Sequence, residues 1–197
     1  MSVAHLQKWD VTAIEIALDL KTQRVSDFSR LVFSGPAEPR ICLVASFVLT
    51  PQLKRIVAAV DRAMPARLPS GLRIAPATTR SAPSAAAAVS LQPMLALLRL
   101  QSRLVRAIEP GLANDVISLR MRHEMDEATT RFVADFISCK TLPSFEPACT
   151  VAEFDAIDLT AIGITLYQLG RAGTPQSILA HWPYPQNARS LPLRDTP

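Results

Sequence analysis

The side chains able to do chemistry near neutral pH are few. Three histidines (His5, His123, His181) and three cysteines (Cys42, Cys139, Cys149) supply the groups that exchange protons or attack as nucleophiles. The cysteines are odd in number and lack C-x-x-C spacing, so neither a disulfide framework nor a zinc site is expected. His123-Glu124 has no second histidine four residues on, which removes the zinc-protease motif. Six scattered glycines leave no phosphate-cradling loop. Cys42 stands two residues from Arg40, whose guanidinium would favour a thiolate able to attack an acyl or phosphoryl centre. No nucleophile-elbow sequence surrounds it, and an inert strand cysteine is the plainer reading. His5 falls in the N-terminal segment and His181 near the end of a strand pattern, before Trp182-Pro183-Tyr184.

The elements that must hold these residues are legible from periodicity. In TAIEIALDL (12–20), Ile14, Ile16, Leu18 and Leu20 alternate with Glu15 and Asp19, which predicts a strand. Val25, Phe28, Leu31 and Val32 then recur at helical spacing. PRICLVASF (39–47) alternates again, placing Ile41, Leu43, Ala45 and Phe47 on one face and Arg40, Cys42, Val44 and Ser46 on the other. Thr50 as cap and Pro51 at the first position predict a helix burying Leu53, Ile56, Val57, Val60 and Met64. Two short strands are expected around GLRIA and AAAAVSL, separated by a loop rich in Pro, Ser, Ala and Thr, with a helix as the alternative for the alanine run.

A second helix enters at Pro93 and closes at Pro110-Gly111, with Met94, Leu97, Leu98, Leu104, Val105 and Ile108 inward. Its Arg99, Arg103 and Arg106 form one basic face, either solvated or facing RNA. DVISLRMR reads as a strand, and MDEATTRFVADFISCK as a helix with Phe132, Val133, Phe136 and Ile137 inward. VAEFDAIDL, AIGITLYQL and SILAHWPY read as three more strands. A strand–helix–strand–helix order recurs around 12–64 and 85–138, which predicts internal pseudo-symmetry. Residues 1–11 form an N-terminal extension, 12–185 a single α+β domain, and 186–197 a loose tail.

Composition narrows the classes. A chain of 197 residues, 49% hydrophobic and 19% charged, buries a core without staples and is not disordered. A net charge of +4 and a pI near 9.3 permit an anionic partner without establishing one. Aromatic residues at 6% make any base-stacking surface sparse. No run approaches the roughly 18 apolar residues of a membrane helix. MSVAHLQKWDV lacks the basic and apolar regions of a signal peptide, so a cytoplasmic protein with no membrane partner is expected.

The order of these elements, with FDAIDLTAIGITLYQL near the end, resembles the 2H phosphoesterase superfamily, which includes the RNA 2′,3′-cyclic phosphodiesterases or 2′–5′ RNA ligases. The resemblance spans roughly residues 12–185. It implies a bilobal fold, two pseudo-symmetric antiparallel-sheet lobes with helices outside and a central groove. Two His-x-Thr/Ser motifs, typically within P-H-I-T-L, line that groove in the family. Alternation puts each histidine and hydroxyl on one strand face, and the two histidines serve as base and acid without a metal or other cofactor.

The resemblance aligns the first motif with Pro39-Arg40-Ile41-Cys42-Leu43-Val44 and the second with Asp115-Val116-Ile117-Ser118-Leu119. Arg40 and Val116 then stand at the histidine positions, and Cys42 and Ser118 at the hydroxyl positions. Arginine stays protonated and valine has no proton to exchange, so hydrolysis is expected to be lost. Arg40, Ser118 and Arg120 could still hold a phosphate of an RNA end or nucleotide through charge-assisted hydrogen bonds. Two alternatives stay open: an active cyclic phosphodiesterase using Cys42, Ser118 and His123, or a protein-interaction module unrelated to the groove. The chain is expected to be a monomer.

Overall fold

The computed structural model describes residues 11–22, 40–76, 89–111, 126–138, 144–146 and 156–184. They form an α+β architecture around one antiparallel sheet of seven strands. The strands are β1 (Val11–Thr22), β2 (Arg40–Leu49), β3 (Leu72–Pro76), β4 (Val89–Gln92), β5 (Ser144–Glu146), β6 (Ile157–Leu169) and β7 (Pro175–Pro183). Their order is β4-β3-β6-β1-β2-β5, with β7 also paired to β6. Strand β6 is long enough to take two partners end to end on one side: Ile157–Leu159 pairs with β3 and Gly163–Leu169 with β7. The expected VAEFDAIDL and AIGITLYQL strands are thus joined, because IDL runs on into AIGITLYQL as one strand and residues 151–155 lie outside the described residues. A register shift between Asp19 and Leu20 in the β1–β6 ladder absorbs Ile162.

Strand β1 lies between β6 and β2, so both of its edges are paired. Ile14, Ile16, Leu18 and Leu20 face the larger core, as their alternation predicts. That core is closed by α1 (Leu53–Ala63) and α2 (Met94–Ile108). Ile56, Ala59, Val60 and Ala63 come from α1, and Leu97, Leu100, Leu104 and Ile108 from α2. Leu53, Val57, Met64, Met94 and Val105 pack at its margin. Thr50 does not cap α1: a 3-10 turn, Thr50–Gln52, intervenes, and the Thr50 hydroxyl bonds that of Thr12 at 2.8 Å.

The opposite face is covered at one end by α3 (Glu127–Ser138), whose Val133 and Phe136 pack with Ala13, Cys42, Ala45, Phe47 and Leu169. Asp126 caps α3 through the N–H groups of Ala128 and Thr129, at 3.0 and 3.2 Å. The Thr129 hydroxyl reaches the Gly170 carbonyl at 2.6 Å and accepts the Gly173 N–H at 2.8 Å, tying α3 to the β6–β7 turn. Gly173 holds φ +69° there with the Phe132 ring against it, a position where a Cβ is both strained and obstructed.

Strand β2 departs from simple alternation at one point. Ile16 pairs with Val44 and Ala17 with Cys42, so Leu43 is an extra residue in β2. Leu43 and Val44 both join the larger core, while Ala45 and Phe47 share the other face with Cys42. This corrects the strict period-two assignment, which put Leu43 with Ala45 and Phe47 and put Val44 with Cys42. Gln101 of α2 donates to the Leu43 carbonyl at the bulge, 2.9 Å away. Of the helix expected over 21–33, Lys21 and Thr22 instead continue strand β1 and residues 23–33 lie outside the described residues, as do the strand expected over 115–122 and much of the expected internal repeat.

Candidate functional site

Pairing registers across four strands line up a set of polar side chains on the face opposite α1 and α2. Asp19 is in register with Arg40 on one side and Gly163 on the other. Glu15 is beside Tyr167, and Ala17 beside Thr165, which in turn pairs with His181 of β7. Residues in register point to the same side of a sheet, so Arg40, Glu15, Asp19, Tyr167, Thr165 and His181 share one face. Ala17 and Gly163, lying between them, keep the floor low.

Two hydrogen-bonded groups occupy this face. In the first, the Arg40 guanidinium grips the Glu15 carboxylate with both ends, Nε to Oε1 at 3.0 Å and Nη2 to Oε2 at 3.3 Å. Both residues are buried, Glu15 entirely. The Arg40 guanidinium carbon also lies 5.8 Å from the centre of the Tyr167 ring, within cation–π range. Burial pushes the Glu15 carboxyl above its ordinary value, while the Arg40 charge and hydrogen bonds from Arg40 and the Cys42 thiol pull it back. Burial prevails, because moving a carboxylate out of water costs more than one ion pair returns.

In the second group, the Thr165 hydroxyl donates to Asp19 Oδ2 at 2.6 Å and lies 2.7 Å from His181 Nδ1. Since the hydroxyl has one proton, His181 supplies the other and carries its hydrogen on Nδ1. The ring's Nε2 is then left as an acceptor in the neutral form, on a side chain 45% exposed. His181 Nδ1 is itself 3.5 Å from Asp19 Oδ2. The close approach depends on Gly163, where an added Cβ would meet His181 Cε1 at 3.0 Å and Asp19 Oδ2 at 3.3 Å. Tyr167 donates to Asp19 Oδ1 at 3.4 Å, and its hydroxyl is held above its ordinary value by burial and by the Asp19 charge.

Such an arrangement can orient an imidazole as a proton acceptor: a carboxylate at the far end of a hydrogen-bond chain fixes the tautomer and stabilises the cation that follows protonation. It does not assemble a metal site, and no metal-holding group of His, Cys, Asp or Glu occurs among the described residues.

Of the residues singled out from sequence, Arg40, Cys42 and His181 are placed here, Arg40 and Cys42 buried and bonded to Glu15 and His181 against Thr165 and Asp19. Val116, Ser118, Arg120 and His123 lie outside the described residues. Glu15, Asp19, Thr165, Tyr167 and His181 belong to no sequence motif that assigns them to a site. Their signal is the recurrence of acidic residues inside a strand apolar enough to be central, and the polar alternation of Thr165 and Tyr167 in ITLYQL. No helix among the described residues is long and apolar enough to cross a membrane. Comparisons of the chain with protein-family models, with curated proteins and with solved structures find no match.

Proposed function

We propose that this chain is a 2H-phosphoesterase-like protein that has lost two-histidine hydrolysis and uses the polar sheet face to bind an RNA end or a nucleotide phosphate. The two-lobed arrangement with a central groove belongs to the same proposal. The observation that carries it is the Arg40–Glu15 pair: the first motif position is filled by a buried cation locked to a carboxylate, and the arginine has no proton to exchange near neutral pH. A phosphate approaching Arg40 also meets the negative charges of Glu15 and Asp19, so binding at this face is weak and salt-sensitive.

The test is turnover of an RNA oligonucleotide ending in a 2′,3′-cyclic phosphate. The unmodified protein is expected to be silent, and activity is expected when Arg40→His is combined with Val116→His. Silence in every variant, with no salt-dependent binding of the oligonucleotide, overturns the proposal. A second reading, a divergent active site, is favoured by the Asp19–Thr165–His181 chain, with His181 in place of His123. It requires turnover by the unmodified protein that His181→Ala abolishes.

A further inference from the structure

Four arginines gather on the outer surface of the two helices that cover the larger core, on the side of the sheet away from Arg40 and Glu15. Arg62 of α1 and Arg99, Arg103 and Arg106 of α2 line an open groove of about 680 Å³ whose apolar part includes Leu95 and Leu98. Each of the four is exposed. Arg103 is steadied by a hydrogen bond from Nη2 to the Met64 carbonyl, 3.1 Å away at the end of α1.

What sets this cluster apart is that no carboxylate among the described residues answers it. Elsewhere Arg40, Arg73 and Arg131 pair with Glu15, Asp158 and Glu127. Helix α2 contains no acidic residue, and none of the four arginines forms an ion pair with Glu109 beyond its end. On α1 the only acid, Asp61, instead accepts the Trp182 indole N–H at 3.0 Å. Four like charges held side by side repel one another, and a bound polyanion relieves that repulsion.

We infer that this groove binds the sugar–phosphate backbone of a nucleic acid without reading its sequence. From Arg99 to Arg106 the helix rises about 10 Å, at roughly 1.5 Å per residue. That length spans adjacent phosphates, and arginine forks match phosphate oxygens. No aromatic side chain among the described residues lines the groove, so base stacking has no platform and the backbone is the target. A lipid surface fits less well, because α2 turns Leu97, Leu100, Leu104 and Ile108 into the core and keeps Leu95, 60% exposed, as its one strongly exposed large apolar residue.

The experiment is fluorescence anisotropy of a labelled 20-base-pair RNA duplex titrated with the full chain across a salt series. With three to four phosphates neutralised, affinity should fall roughly 40- to 150-fold between 50 and 200 mM salt, at a slope of about 0.9 per phosphate. Replacing Arg62, Arg99, Arg103 and Arg106 by Gln should abolish that dependence while circular dichroism stays unchanged, since all four side chains are exposed. Arg131→Gln, which removes one exposed positive charge from the helix on the other side of the sheet, should leave duplex binding intact; cyclic-phosphate RNA turnover and binding, read separately, concern the other proposal. Undiminished duplex affinity in the four-arginine variant overturns the inference. So does absence of duplex binding at 50 mM salt, whether or not the protein then binds vesicles of phosphatidylserine and phosphatidylcholine.

Discussion

Arg40 is in register with Asp19, yet its guanidinium closes on Glu15, four residues further back along β1. The arginine therefore lies along the sheet face instead of standing up from it, and its cationic end comes to rest beside the Tyr167 ring on β6. A buried pair of this kind holds the centre of the face rigid at a considerable desolvation cost. Removing one partner exposes that cost. Arg40→Met should destabilise the fold by about 3–5 kcal/mol, whereas Glu15→Leu/Arg40→Met together should lose far less, because no uncompensated charge remains buried. Urea unfolding of the two variants and the parent measures the difference; equal losses would show that the pair is not what the arginine contributes.

The raised Glu15 carboxyl makes a signed prediction for pH. The folded protein binds the Glu15 proton more tightly than the unfolded chain does, so this residue's contribution is greatest below its ordinary value of 4.5 and is lost as pH climbs through the raised folded value. Glu15→Gln should therefore gain stability relative to the parent as pH rises above 4.5, because the variant never carries the buried carboxylate whose desolvation outweighs its attraction to Arg40. Unfolding midpoints of both proteins across pH 4 to 8 test it, and a difference that does not vary with pH would contradict the assignment.

Thr165 joins His181 to Asp19, and cutting it should be visible on the histidine. Thr165→Val removes the hydroxyl from a residue only 2% exposed, so Asp19 Oδ2 and His181 Nδ1 each lose the hydrogen bond they make to it. The expected loss is about 1–3 kcal/mol. The imidazole nitrogen shifts in NMR should change from a single Nδ1–H tautomer to a mixture. Gly163→Ala should do the same by steric means, since its Cβ would press on the His181 ring and the Trp182 carbonyl. An unaltered tautomer in both variants would mean that the hydrogen-bond chain does not orient the ring.

Leu104 is fully buried between α2 and the sheet. Leu104→Ala should cost about 2–5 kcal/mol through the lost transfer energy and the cavity left behind. Leu95→Ala on the same helix, 60% exposed, should cost little and serves as the control. Thermal unfolding of the two variants gives the comparison directly.

The element types were legible in the sequence wherever one face meets a core and the other does not. The alternation of Ile14, Ile16, Leu18 and Leu20 and the helical stripe through Leu97, Leu104 and Ile108 arise from burial itself, so they marked β1 and α2 correctly. The Pro51 entry to a helix was equally readable, although Thr50 spends its hydroxyl on Thr12 instead of on a cap. Tertiary structure decided what local pattern does not encode. The Leu43 bulge, which reassigns the face of every later residue in β2, depends on how β2 pairs with β1. The choice of Glu15 as partner for Arg40, 25 residues away in sequence, depends on the same pairing. Asp19, Thr165 and His181 meet only because β1, β6 and β7 are neighbours, and the contact joining Asp19 to Thr165 spans 146 residues. A period along the chain reports which face a residue takes; only strand order and register report which side chains share that face.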